Sequence, residues 1–208
     1  MPEERILTAG LLIGPYFEAQ GYRGRRCAVL GPQDSFLYVA AAGAWPVSPF
    51  EEFDLVLIGD QVGFPFLDGV DAVLSRLIAK LDGGERVPLI LPNPDLIFPK
   101  TAGFGITSGT LALILQSALQ QRFPQRSDLS FVHLGKPQPG LFEEAIRLAG
   151  TRNLVMIGDQ VDTDIRGAVG VGLDSALVAG GVGGVELAGE IRPTYRLASI
   201  RPGTPDHR

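Results

Sequence analysis

Apolar residues along the chain follow two alternating rhythms. Short unbroken runs at Cys27–Leu30, Leu55–Ile58, Leu89–Leu91, Phe131–Leu134, Leu154–Ile157 and Ser175–Val178 have the length and continuity of strands covered on both faces. Between them, amphipathic stretches predict helices over Thr8–Gln20, Ser35–Ala42, Gly69–Leu81, Thr110–Gln121, Leu141–Leu148 and Asp164–Val171. This alternation predicts an α/β protein with a mostly parallel sheet. Four of the strands run into a glycine, at Gly31, Gly59, Gly135 and Gly158, where the chain can turn sharply and aim the next helix N-terminus at a ligand. The polar stretch Arg122–Ser130, broken by Pro124, predicts a crossing between domains. Gly180–Gly184 predicts a loop and Gly203–Arg208 a frayed tail.

Composition narrows the function classes. A chain of 208 residues with 45% hydrophobic and 20% charged residues can bury a core and is far from disordered. Its net charge of −5 argues against a nucleic-acid backbone as partner. No apolar stretch approaches the ~18 residues of a membrane span. The acidic start, followed by Pro15, Tyr16 and Glu18, does not read as a signal peptide, so a cytoplasmic location is expected. The single Cys27 excludes an internal disulfide and fits a reducing compartment.

Three stretches carry chemistry. In Ile157-Gly158-Asp159-Gln160-Val161-Asp162-Thr163-Asp164-Ile165, a strand delivers Asp159 at its carboxyl end, where open α/β sheets place ligands. Asp162 and Asp164 follow at once. A magnesium ion would relieve the repulsion among the three carboxylates, but a helix N-terminus and solvent would do so too, with Asp162 or Thr163 as a mere cap. Second, Leu134-Gly135-Lys136-Pro137 sets one of only three lysines, against fifteen arginines, at a strand end. There it can neutralise a phosphate or a carboxylate, or simply be solvated. A right-handed crossover through Leu141–Leu148 predicts Lys136 and Asp159 on one sheet edge. Third, Pro92 and Pro94 around Asn93 predict a rigid turn. It either presents Asn93 and Asp95 to a ligand or uses them for local hydrogen bonds.

Other signals are weaker. Leu57-Ile58-Gly59-Asp60-Gln61-Val62 echoes Met156–Val161, but nothing flanking it repeats. His133, between Val132 and Leu134, reads as a satisfied structural histidine. With His207 as the only other histidine and no Gly-x-Ser-x-Gly elbow, neither a Ser-His-Asp hydrolase nor a zinc site is expected. Gly103–Gly109 lacks the Gly-Lys-Ser/Thr ending of a phosphate loop.

The Asn93-Pro94-Asp95 turn, Gly135-Lys136-Pro137 followed by Phe142-Glu143, Gly158-Asp159 with Thr163-Asp164-Ile165, and the late Pro193-Thr194-Tyr195 resemble the haloacid dehalogenase superfamily, in its class IIA branch of phosphatases. The resemblance covers most of residues 6–200. It implies a Rossmann-like core with a large α/β cap. Residues 1–23 would be a core helix segment, 24–128 the cap, and 129–208 the carboxyl-terminal part of the core. It further implies that Asp159 binds magnesium directly and that Asp164 supports it from behind. Lys136 would bridge nucleophile and phosphate, and the Asn93–Asp95 turn would face a small phosphorylated metabolite.

That chemistry begins with a strand ending in Asp-x-Asp-Gly, whose first carboxylate attacks phosphorus. Among thirteen aspartates, the only Asp-x-Asp pair here is Asp162/Asp164. The resemblance therefore implies an incomplete core, with the first strands and the nucleophile not encoded in this sequence. Expected functions are a phosphatase when that segment is supplied, or else an inactive binding module or a remnant. The Leu154–Ile157 strand would be an apolar edge open to pairing or to homo-oligomerisation.

Overall fold

The computed structural model describes residues 5–180, 182 and 191–200, which form two compact units meeting between Gly135 and Lys136. The loop expected at 180–184 lies partly, and the tail expected at 203–208 wholly, outside the described residues.

The first unit is built on a five-stranded parallel sheet in the order β2-β1-β3-β4-β7: β1 (Arg26–Leu30), β2 (Trp45–Val47), β3 (Leu55–Ile58), β4 (Leu89–Leu91) and β7 (Val132–His133). Successive side chains on a strand point to opposite faces, and the runs of apolar residues fill both. Ala28, Leu30, Val56, Ile58, Leu89 and Leu91 join one buried cluster; Cys27, Val29, Leu55, Leu57 and Ile90 join the other. Register accounts for this split, since Cys27 stands opposite Leu55 and Ala28 opposite Val56.

Helices cover each face. α3 (Phe66–Asp82) and α4 (Ser108–Arg122) pack on the first cluster. Val70, Val73, Leu77 and Leu81 of α3, and Leu111, Leu115 and Leu119 of α4, recur every three or four residues and line one helical stripe each. Asp68 in the first turn of α3 and Lys80 in its last suit the helix dipole. α4 stops before Pro124, which cannot continue it. On the other face, α1 (Ile13–Gln20) and α2 (Gln33–Ala41) contribute Ile13, Phe17 and Val39. Cys27 is fully buried there, and burial pushes its thiol well up from the ordinary value. A two-stranded antiparallel hairpin, β5 (Ile97–Pro99) and β6 (Phe104–Ile106), leads from the β4 end into α4.

The second unit holds a three-stranded parallel sheet, β10-β9-β8, from β8 (Val155–Gly158), β9 (Asp174–Val178) and β10 (Tyr195–Leu197). α5 (Gly140–Ala149) and the short α6 (Arg166–Gly170) belong to it. Its core is small: Phe142, Ala168 and Leu173, with Ile146, Leu154, Met156 and Val171 around them. Gly167 lies against the Phe142 ring, where a Cβ would collide. β8 ends the sheet, and its Val155 and Ile157 are 47% and 52% exposed.

One topological expectation is corrected. The strands that precede Lys136 and Asp159 do not belong to one sheet, so they share no sheet edge. β7 pairs with β4 in the first sheet, with Ile90 opposite Val132, whereas β8 pairs with β9 in the second. His133 also departs from expectation: it is exposed on the edge strand β7, with no hydrogen-bond partner seen among the described residues.

Candidate functional site

Where β8 ends, the chain enters one wide helical turn, Val161–Ile165, before α6. That turn folds Asp164 back against Gly158, whose missing side chain makes room: a Cβ there would run into the Asp164 carboxylate. Asp164 is only 2% exposed. Burying a carboxylate so deeply demands partners for its charge, and both oxygens have them. Lys136 donates from Nζ to Oδ1 at 2.5 Å, and the Gln160 backbone N–H donates to Oδ2 at 3.2 Å. Lys136 therefore reaches the acidic loop from the segment preceding α5, within the second unit and without a shared sheet edge. The Lys136–Pro137 peptide is cis.

Asp159 follows β8 directly and is partly buried. Its Oδ2 accepts the Val182 backbone N–H at 2.8 Å, while Oδ1 has no partner among the described residues. Asp162 behaves differently. It faces solvent and pairs with Arg166 four residues on, at 2.6 Å, an ordinary surface helix pair. Of the three acids that could have repelled one another, one is thus turned outward and one is matched to a lysine. Among the described residues no three His, Cys, Asp or Glu side chains gather as a metal cluster. Thr163 Oγ1 is buried there without a hydrogen-bond partner among the described residues, a polar atom that a bound water or ligand would satisfy.

Magnesium takes hard oxygen ligands, commonly one or two carboxylates with phosphate and water completing the shell. Asp159, with a free carboxylate oxygen, has that character. Asp164, matched to an ammonium, suits a supporting place. The residues fit part of a magnesium site, and further oxygen ligands would have to come from elsewhere.

Asn93 and Asp95 lie in the first unit, on the turn after β4. Asn93 Oδ1 accepts the Asp95 backbone N–H at 3.2 Å, so the local hydrogen-bonding use of this turn is realised. Sequence reasoning missed what holds it. Hydroxyls at the start of α4 grip its carbonyls: Ser108 donates to the Asn93 carbonyl at 2.8 Å, Thr107 to Asp95 and Thr110 to Leu96. Gly109 lets the helix approach, because a Cβ would strike the carbonyls of Pro94 and Asp95. The signal was present in Thr107-Ser108-Gly109-Thr110, three hydroxyls flanking a glycine at a helix start.

The HAD-hydrolase-like family model matches residues 133–202, the stretch that contains Lys136, Asp159 and Asp164. The chain is 26% identical over 204 residues to the dihydroxyacetone phosphatase of Corynebacterium glutamicum, covering 96% of this chain and 68% of that protein. It is 29% identical to the D-glycerol 3-phosphate phosphatase of Mycobacterium tuberculosis, covering 92% of this chain but only 52% of the relative. The crystal structure of glycerol phosphate phosphatase from Mycobacterium tuberculosis in complex with magnesium superposes with a TM-score of 0.73 at 26% identity, over 91% of this chain and 55% of that one. The chain thus spans about half to two thirds of these relatives' lengths. Its parallel α/β architecture, the acidic loop after β8 and the likeness to relatives along both units agree: the chain is similar to hydrolases of the haloacid dehalogenase type.

Proposed function

We propose that this chain supplies the lysine and acidic-loop half of a magnesium-dependent phosphatase acting on a small phosphorylated metabolite. The observation that carries the reading is the Lys136–Asp164 pair beside Asp159. A buried carboxylate fixes the ammonium in place, and phosphoryl transfer depends chiefly on such prepaid positioning and charge. Asp164 holds Lys136, and Lys136 neutralises a phosphoryl oxygen and the attacking group. Asp159 would hold the metal, which when bound supplies charge neutralisation to the phosphate. In this reading residues 24–128 form a cap whose Asn93–Asp95 turn faces substrate, and 1–23 with 129–208 contribute to the core.

The attacking carboxylate is not among the thirteen aspartates of these 208 residues in an Asp-x-Asp setting of its own. We assign it to another segment, ending in that motif and pairing along the open edge of β8. Val155 and Ile157 give that edge an apolar surface to cover. A cytoplasmic setting belongs to the same proposal, resting on a single unpaired Cys27. The net charge of −5 and the lack of a helix long and apolar enough to cross a membrane, among the described residues, support a small-molecule partner.

Turnover of p-nitrophenyl phosphate tests the proposal. The 208-residue protein alone should be inactive, and a chain extended by a strand ending in Asp-x-Asp-Gly should hydrolyse it. Asp159→Asn should abolish that activity; an unchanged rate would reject Asp159 as the metal ligand. Robust turnover by the 208-residue protein itself would overturn the assignment of the nucleophile.

A second reading is favoured by the same missing motif: a non-hydrolytic module that binds a phosphorylated ligand. It predicts magnesium-linked binding of a phosphate analogue by the 208-residue protein, and no hydrolysis even when the extended chain is made.

A further inference from the structure

We propose that the first unit carries a second small-molecule site, at the end of its sheet opposite the Asn93–Asp95 turn, for a small anion with an apolar body. A cavity of about 280 Å³ lies there, lined by the apolar Leu81, Val87, Pro88 and Leu129 and by Arg86, Arg126 and Asp128. Arg86–Pro88 runs into β4 and Arg126–Leu129 precedes β7, so the cavity sits at strand starts, whereas Asn93 follows a strand end.

The charges are unevenly matched. Arg126 grips Asp128 with two donors, Nε at 3.0 Å and Nη2 at 2.8 Å. That fork already satisfies the carboxylate in two directions. Arg86 adds only Nε, at 3.3 Å to Asp128 Oδ2, and its side chain is largely exposed. Its two Nη groups have no partner among the described residues. Two guanidinium groups against one carboxylate leave one surplus positive charge, carried by the group with free donors. Two bonds link the loops, Arg86 Nε to Asp128 and Arg126 Nη1 to the Glu85 carbonyl at 3.5 Å, and both leave the Arg86 Nη groups for a ligand.

Leu81 and Leu129 are almost wholly buried although they line the cavity, so an apolar body entering it meets a dry wall. A water occupies about 30 Å³ in the liquid, so the space holds a molecule on the order of ten heavy atoms. An aromatic or branched carboxylate matches both features, with its anionic end on the Arg86 fork and its body against Leu81, Val87 and Leu129. This inference is independent of the phosphatase reading.

Titration of the isotope-labelled 208-residue protein with benzoate, followed by amide shifts, tests it. Saturable shifts at about 10 mM ligand or below are expected at residues 81–88 and 126–129. They should persist in Lys136→Met, which removes the ammonium of the candidate active site. They should weaken about tenfold or more in Arg86→Ala, a change at an exposed side chain that leaves the fold intact. Inorganic phosphate, lacking an apolar body, should bind more weakly than benzoate. Absence of saturation, unchanged binding in Arg86→Ala, loss in Lys136→Met, or phosphate binding as tightly as benzoate would each overturn the proposal.

Discussion

The Lys136 ammonium lies 2.5 Å from Asp164 Oδ1 and joins residues 28 positions apart across the second unit. Removing the cation strands a carboxylate that is almost fully buried. Lys136→Met should therefore destabilise the protein by about 1–3 kcal/mol, measured by urea unfolding. Adding Asp164→Leu to Lys136→Met should recover part of that loss, because the unpaired charge goes with it. An additive double variant would show that the pair is not coupled.

Gly158→Ala places a methyl group on the Asp164 carboxylate. The acid must move, and the Lys136 contact moves with it. A loss of about 1–3 kcal/mol is expected. Magnesium-dependent stabilisation, read as the shift in thermal midpoint on adding the ion, should fall as well. Asp162→Asn at the exposed neighbour should leave both readouts within about 0.5 kcal/mol of the parent.

Magnesium itself should raise the thermal midpoint of the parent protein and leave that of Asp159→Asn unchanged, since Asp159 is the partly buried acid of the loop with an oxygen that has no protein partner among the described residues. Equal shifts in the two proteins would place any metal elsewhere.

Acid should loosen the first unit through Asp128. The Arg126 hydrogen bonds, more than those of Arg86, hold its carboxyl well below the usual carboxylate range. The folded state therefore prefers the ionised form. That contribution is complete above the unfolded value near 4 and is lost as pH falls through it toward the depressed folded value. Asp128→Asn should cost stability near neutrality, and that cost should shrink progressively as pH falls below about 4.

Gly109→Ala meets two backbone carbonyls that cannot swing aside, those of Pro94 and Asp95. Its effect should exceed that of Ser108→Ala, which removes one hydrogen bond to the Asn93 carbonyl and costs about 1 kcal/mol. Unfolding midpoints of the two variants decide the order.

The main strands were legible because parallel strands buried on both faces leave unbroken apolar runs, as at Leu55–Ile58. The strands missed break that rule. Trp45–Val47 and Ile97–Pro99 each contain a proline and are partly or largely exposed, and Tyr195–Leu197 has Arg196 at its centre. That Lys136 meets the acidic loop was legible from residue types at strand ends. Which sheet each strand joins was not, because Phe131–Leu134 and Leu154–Ile157 are both short, mainly apolar runs and only pairing distinguishes their strands. Nor was the outward turn of Asp162, which follows from Arg166 standing one helical turn away. The grip of Thr107, Ser108 and Thr110 on the turn lay hidden because it joins residues 12 to 15 apart.

Cys27 sits at the heart of the first sheet with no surface at all, and it is the chain's sole sulfhydryl. An alkylating reagent consequently finds nothing to attack in the native protein, and each labelled molecule records one opening of the strands around it. The chain carries its own clock for the first unit, readable by mass without any engineered probe and silent toward the second.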